Sequence, residues 1–399
     1  MAKKNMYLFS VLYFVSACLF GNVVSILFLL CMFMCYAWVN RGLINYLSLF
    51  RKCNVSFVFF CLFSLLSTVW AQNREYSLEM GARLVEIALF FVVFYICYKD
   101  EQGSDPLLKV IMYGGYLVST YIVYQIGISR VLQLVTTAQR VTYHDSEINA
   151  NSIGMYAAFS IIINSYYLIY EKKVFHIRNL LLIPGALALI ISQSRKCFII
   201  VFLGILLLLI FHNYHAKDRN ALLSSILKLL LLAIPIIIVV GALKDSTIFS
   251  LFFSRMKELT GSLTGQNTDA TVRLLMISSG LRGFLNSPIF GNGIDNGRIF
   301  SLASTGFDVY LHNNFVELLA GVGIVGFILY YYSYYDALKT VIKHRMKRDR
   351  YFDILIVLLV CRLILELGQV TYYGKDNVLF IVFFSLQSLY VVRNNINEQ

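Results

Sequence analysis

Residues 194–212 read SRKCFIIVFLGILLLLIFH, with two cations at the head, a histidine at the foot and no charge between. A helix that crosses a hydrocarbon core of about 30 Å needs roughly 20 mostly apolar residues, so this run with its flanks is read as a membrane span. The same signature recurs outward in both directions, at 6–21, 23–39, 55–70, 82–98, 107–128, 152–170, 179–193, 226–243, 314–335, 352–369 and 377–392. With 197–212 that makes about twelve transmembrane helices in one integral membrane domain over 1–399. Composition agrees: 58% apolar residues, 14% charged residues and a mean hydropathy of +0.70 lie outside the range of a soluble domain. The expected fold class is an all-α polytopic membrane protein.

Short cytoplasmic loops carry an excess of lysine and arginine. Lys3 and Lys4, Arg41 with Arg51 and Lys52, Lys172 with Lys173 and Arg178, and the run KTVIKHRMKRDR at 339–350 therefore lie inside, which puts both termini in the cytoplasm. This bias accounts for most of the +12 net charge and leaves no call for a nucleic-acid partner. The opening MAKKNMYLFSVLYFVSACLFG imitates a signal peptide, but a second apolar run follows across Gly21 and Asn22, so a first hairpin of helices is expected. The eight cysteines lie in or beside spans without a CxxC pair and are read as packing residues.

On the outer side this topology leaves a medium loop at 129–151 and a large one at 244–313. A connection that long within a compact bundle usually carries function. The chain shows none of the matched halves expected of a transporter built by internal repeat. Within the large loop, NTDATVRLLMISSGLRGFLNSPIFGNG predicts a surface-lying helix capped by Asn267 or Thr268. Val272, Leu275, Met276, Leu281, Phe284 and Leu285 would be its apolar surface, and Ser287-Pro288 its end. Arg273 and Arg282 stand nine residues apart, on opposite faces at about 100° per residue. The loop's Lys244, Arg255, Lys257, Arg273, Arg282 and Arg298 are nearly balanced by Asp245, Glu258, Asp269, Asp295 and Asp308, so a polyanion would have to be held by individual arginines.

Arg195 and Lys196 sit on the outer side, against the orientation rule. They either snorkel to phosphate headgroups or form an anion site, for which guanidinium offers a fork of donors. His312 opens the span after the large loop and is either a boundary residue or a base that titrates near neutral pH. Glu317 follows on that helix and could orient His312, Asn313 and Asn314. The residues alone leave these alternatives open.

Three stretches carry a resemblance. SQSRKCFIIVFLGI, ATVRLLMISSGLRGFLNSPIFGNGI and YLHNNFVELLAGVGIVGF resemble, in order, the signature segments of the bacterial O-antigen ligase and O-antigen or capsule polymerase superfamily, over roughly 190–330. The resemblance implies a GT-C-type glycosyltransferase fold, with short amphipathic helices in the large outer loop. It implies a multi-pass enzyme of the bacterial cytoplasmic (inner) membrane, acting at the extracytoplasmic face on a polyprenyl-pyrophosphate-linked glycan donor and a glycan acceptor among membrane lipids. Arg195 and Arg273 would grip the departing pyrophosphate and His312 would take the acceptor's proton, without cofactor or metal and with inversion. Lys196, Asn313, Glu317 and Asn151 would contact substrate. Polymerase action in lipopolysaccharide or capsule synthesis is expected ahead of ligation to lipid A-core, with chain-length regulator and flippase as partners. The contrasting reading is a lipid-linked oligosaccharide flippase, which would survive loss of His312.

Weaker motifs remain. GVGIVG at 321–326 fits a dinucleotide fingerprint but lies in a span, so close helix packing is expected. GNGIDNG at 291–297 is read as a hinge turn, and Asp145 with Glu147 as a conceivable oxygen-ligand pair for a divalent ion. Arg362 and Glu366 are spaced to neutralise each other on one helix, and Arg83 with Glu79 or Glu86 allows the same.

Overall fold

A computed structural model of the chain describes residues 2–20, 22–40, 50–99, 105–137, 139–142, 144–173, 175–215, 223, 227, 269–343 and 350–397. Regular structure is helical, with no strand among the described residues. In chain order the α-helices are α1 (Ala2–Leu19), α2 (Asn22–Val39), α3 (Lys52–Leu66), α4 (Arg74–Tyr98), α5 (Asp105–Ile126), α6 (Ile128–Thr136) and α7 (Ala150–Glu171). There follow α8 (Leu182–Ser192), α9 (Arg195–His215), α10 (Asp269–Asn286), α11 (Gly297–Thr305), α12 (Asn314–Lys343), α13 (Arg350–Glu366) and α14 (Asn377–Asn397).

Six described helices are long and apolar enough to cross a membrane: Lys52–Val69, Arg74–Tyr98, Asp105–Ile126, Ala150–Glu171, Arg195–Tyr214 and Asn314–Thr340. The expected spans at 23–39, 179–193 and 377–392 are shorter apolar helices, Val23–Val39, Ile177–Ser192 and Asn377–Tyr390. Those at 6–21 and 352–369 are helical as α1 and α13, but Lys3 and Lys4 dilute the first, and Arg350, Asp353, Arg362 and Glu366 the second. Apart from Leu227, the run at 226–243 lies outside the described residues, as do the large loop up to Thr268 and the expected caps Asn267 and Thr268.

The bundle is centred on α7, whose small residues Gly154, Ala157, Ala158 and Ser160 are buried and let α5, α8 and α9 pack close. The expected first hairpin forms, with α1 lying along α2 and α5 and the Ser10 hydroxyl donating to Met32 at 2.9 Å. On the other flank α12 packs against α3 and α14, while α9 meets α13. All eight cysteines are free thiols, buried or half-buried.

α10 and α11 form a small outer layer on the head of α12. The helix predicted at 269–286 exists, but Leu275, Leu281 and Leu285 are exposed, and its inward ridge is Val272, Met276, Gly280 and Gly283. A search for large apolar side chains misses a contact made by glycine. A methyl group at 280 would collide with Leu311, so the absent side chain lets the backbone of α10 lie against the loop that carries His312.

GVGIVG does not continue the helix. Gly323 has φ 63° and ψ −167°, breaking α12, and the 288–293 turn takes over the missing hydrogen bonds. Asn292 and Gly293 N–H donate to Ala320 and Gly321 O at 3.0 and 2.8 Å, and Ile324 N–H donates to Pro288 O at 2.9 Å. GNGIDNG is therefore a buried clamp and not a hinge. It is also bonded to the start of α4, where the Asn296 amide donates to Ser77 Oγ at 2.7 Å and Asn73 N–H donates to Asn296 Oδ1 at 2.7 Å.

Candidate functional site

α8 ends at Gln193, whose φ of 47° turns the chain, and Ser194 O accepts the first α9 hydrogen bonds from Cys197 and Phe198. The turn between α8 and α9 is thus only two residues, and Arg195 and Lys196 occupy the first turn of α9. The segment leading into α7 folds over this helix end. Val141 N–H donates to Ile191 O at 3.0 Å, Arg140 Nε donates to Ser192 O at 3.2 Å, and a second Arg140 nitrogen donates to Asn151 Oδ1 at 2.9 Å. Arg140 and Arg273 both lie near enough to Lys196 for their charges to act on its ammonium group. Arg140, Lys196 and Arg273, from three separate segments, make one cationic region, and Arg195 immediately precedes Lys196 at the head of α9. Like charges held together repel, and an anion among them relieves that cost.

Two adjacent carbonyls tie this region to His312. After α13 the chain runs through LGQVTYYGKD (367–376), where Gly368 O accepts from Lys196 Nζ at 2.7 Å and Leu367 O accepts from Asn313 Nδ2 at 3.1 Å. The head of α9 and the head of α12 are thereby bonded to neighbouring residues. Asn313 also caps α12, its Oδ1 accepting Val316 N–H at 3.0 Å. α10 closes the arrangement through Gly280. Arg273 precedes Gly280 by seven residues, about 20° away around the helix, so it stands on the face turned toward Leu311 and near the helix start. Arg282 lies about 180° from Arg273 on the exposed side, as its spacing required.

His312 is half-buried and adopts φ 58°. This left-handed conformation costs a non-glycine residue on the order of 1 kcal/mol and persists where its surroundings over-determine it. They do so here. The preceding N–H, of Leu311, donates to Glu317 Oε2 at 2.8 Å, Leu311 is buried beneath α10, and the His312 ring lies 4.5 Å from that of Tyr310. Glu317 is only 1% exposed. It supports the His312 loop from within, in line with the orienting role its place on that helix allowed. Asn151 likewise holds Arg140 in place.

Beneath this loop lies a polar network inside the bundle. Glu366, fully buried, accepts Tyr331 OH and Tyr334 OH at 2.9 Å, Thr371 Oγ1 at 2.8 Å and Arg362 Nε at 3.3 Å. Arg362 also donates to Asn377 Oδ1 at 2.6 Å. Asn314 donates to Tyr331 OH at 2.9 Å and accepts the N–H groups of Thr371 and Tyr372, joining the head of α12 to the 367–376 loop. The expected Arg362–Glu366 pair is thus the centre of a larger scaffold. The other anticipated pairing does not form: Glu86 binds Lys375 at 3.0 Å, and Arg83 lies over the Tyr373 ring, 5.1 Å from its centroid.

Outside the helices, burial lifts the Asp295 carboxyl to about 6 despite Arg298 at 3.5 Å. The forked hydrogen bond from Arg298 holds Asp308 below the usual carboxylate range. Asp145 is also lowered, its partial burial outweighed by hydrogen bonds from Arg130 and from Thr142. Those bonds, at 2.9 to 3.0 Å, make Asp145 a fastening of the segment leading into α7.

The sequence did not point to Arg140 or to the 367–376 loop. Arg140 is one cation in a polar loop, and its partner Asn151 is eleven residues on. The 367–376 loop works through backbone carbonyls, which every sequence offers.

Residues 180–331 match the model of a family described as O-antigen ligase. That segment contains Arg195, Lys196, Arg273, Asn313, Glu317 and His312, and the match supports the O-antigen ligase and polymerase superfamily indicated by the signature segments. No curated protein matches the chain.

Proposed function

We propose that the protein is a membrane glycosyltransferase that polymerises a surface polysaccharide. It would move a polyprenyl-pyrophosphate-linked glycan onto the next lipid-linked repeat unit at the outer face of a bacterial cytoplasmic membrane. The observation that carries the reading is the bonding of Lys196 and Asn313 to consecutive carbonyls, because it gathers the head of α9 and the histidine just before α12 beside one short loop. A GT-C architecture of twelve spans, with chain-length regulator and flippase as partners, belongs to the same proposal.

In this mechanism a neutral His312 ring nitrogen takes the proton of the acceptor hydroxyl. The oxygen attacks the anomeric carbon opposite the pyrophosphate, the bond from that carbon to the phosphate oxygen breaks, and the configuration inverts. Charge develops on the leaving pyrophosphate, where Arg195 and Arg273 supply fixed donors and Lys196 adds positive potential. In a site that excludes water such preorganised charge is worth far more than in solution. Asn313 and Glu317 hold the His312 loop, and Asn151 holds Arg140.

Ligation to a lipid A-core acceptor uses the same chemistry and is favoured by the description of the matched family. A surface-polysaccharide gel separates the two. A deletion strain whose anchor carries a single repeat unit requires a polymerase, whereas bare anchor with lipid-linked polymer requires a ligase. Complementation with His312→Ala is expected to restore no ladder. A full ladder would refute the histidine as base and favour the flippase reading.

A further inference from the structure

His312 stands between two unlike surfaces. On the side of Asn313 lies the cationic region. On the side of Tyr310 the composition changes to aromatic rings, carboxylates and one exposed arginine. The Tyr373 hydroxyl lies within electrostatic reach of that of Tyr310, and the Arg83 guanidinium covers the Tyr373 ring at 5.1 Å. Glu79 precedes Arg83 by one turn of α4 and reaches Asp295 electrostatically. The surface ends at Tyr76, whose hydroxyl donates to Asp308 at 3.0 Å and whose ring carries Arg298 at 4.2 Å.

Some of these groups are committed to the fold, and some are available. Arg298 and Asp308 are locked in a forked pair, and Glu86 is bound to Lys375. Arg83 and Glu79 are exposed and have no hydrogen-bond partner among the described residues. One offers up to five donors and the other a pair of acceptor oxygens, four residues apart on one helix face and beside two half-buried tyrosines. A neutral sugar presents hydroxyls that need both donors and acceptors, and ring C–H faces that lie on aromatic surface. A pyrophosphate would be repelled by Glu79, which has no ion-pair partner among the described residues.

We propose that Tyr310, Tyr373, Arg83 and Glu79 form the acceptor subsite, which takes the uncharged terminal sugar of the acceptor glycan and brings its hydroxyl to His312. This rests on the reading of His312 and Arg273 as a sugar-transfer centre, and it divides that centre into a phosphate side and a sugar side.

The test uses the full chain in lipid nanodiscs with two probes. One is the repeat-unit oligosaccharide released from the host's surface polysaccharide, free of lipid and phosphate. The other is inorganic pyrophosphate. Arg83→Ala and Tyr310→Ala are expected to weaken oligosaccharide binding about tenfold, the scale of one lost hydrogen bond or ring contact, and to leave pyrophosphate binding unchanged. Tyr310→Phe, which keeps the ring, is expected to bind oligosaccharide nearly as wild type does. Unchanged oligosaccharide binding in both alanine variants, absent oligosaccharide binding in wild type, or an equal loss of both probes would overturn the subsite. Arg273→Ala gives the reverse pattern if the phosphate side is correct. Pyrophosphate binding unaffected by Arg273→Ala would sink the transfer-centre reading while leaving the oligosaccharide result to stand or fall alone.

Discussion

Arg362 and Arg273 carry the same side chain in opposite circumstances. Arg362 is fully buried, pairs with Glu366 and meets Asn377, and Glu366 in turn receives three hydroxyls. Arg273 is exposed, with no carboxylate at ion-pair distance among the described residues, and nearby Lys196 rests on a neutral carbonyl. Charges that serve the fold are neutralised within it, because a buried lone charge costs several kcal/mol. Under the proposed function, Arg273 and Lys196 are charges gathered for a ligand, whose phosphates would neutralise them. An arginine in a span is a functional candidate by default, yet Arg362 belongs to the first class.

Removing a gathered charge is expected to harm chemistry and spare the fold. Arg273→Ala and His312→Ala should each lower transfer by about 10²- to 10⁴-fold, the range for losing one electrostatic stabiliser or one proton-transfer group. Thermal melting in detergent should stay near wild type. A melting temperature that falls with the activity would break the distinction, since Arg273 would then be structural too.

The paired charge predicts the opposite profile. Glu366→Ala leaves Arg362 buried without its partner, and about 3–5 kcal/mol of stability should go. Arg362→Met with Glu366→Leu together should cost much less than either single change, because no uncompensated charge remains. Denaturant titration of the singles and the double measures the coupling. A double variant that is stable but inactive would sharpen the comparison, since it would show that the network also sets the Leu367 and Gly368 carbonyls on which Lys196 and Asn313 rest.

These contrasts were unevenly legible in the sequence. Apolar length and lysine–arginine bias suffice for a helical membrane chain, and four-residue spacing suffices for the Arg362–Glu366 pair. Arg195 stood out against the orientation rule, His312 at the mouth of a span, and Arg273 by its place in a signature segment. The rest was hidden for physical reasons. Arg140 is recruited by hydrogen bonds to Asn151 and the Ser192 carbonyl, and the 367–376 loop contributes backbone that carries no residue signature. The break at Gly323 is set by the clamp at 288–293, a partner some thirty residues upstream. Of the apolar surface expected on α10, Val272 and Met276 lie on the inward ridge but Leu275, Leu281 and Leu285 are exposed, because Gly280 and Gly283 complete that ridge.

Asp295 lies between the two classes, buried like Glu366 but paired with Arg298 only at 3.5 Å. Its carboxyl titrates at about 6 in the fold and near 3.9 when unfolded. Between those values the folded state binds the additional proton. Its stabilising contribution is therefore complete below about pH 4 and is lost as pH rises through 6, by at most about 3 kcal/mol. Asp295→Asn should flatten that part of the stability profile from pH 4 to 7. An unchanged slope would assign the titration elsewhere.

The smallest expected effect tests whether the gathered charges depend on backbone approach. Gly280→Ala places a methyl group against Leu311, and overpacking of this kind costs about 1–3 kcal/mol. The bundle beneath α10 does not rest on that contact, so most of the cost should appear as displacement of α10 and with it Arg273. Activity should then fall while the main melting transition moves little. Leu311→Ala alone removes apolar contact from the α10 interface, but combined with Gly280→Ala it makes room for the new methyl group. The double variant should be more active than Gly280→Ala. If the two losses simply add, Arg273 is held by something other than the seat of Gly280 on Leu311, and the placement of α10 over the His312 loop is not what brings the arginine to the histidine.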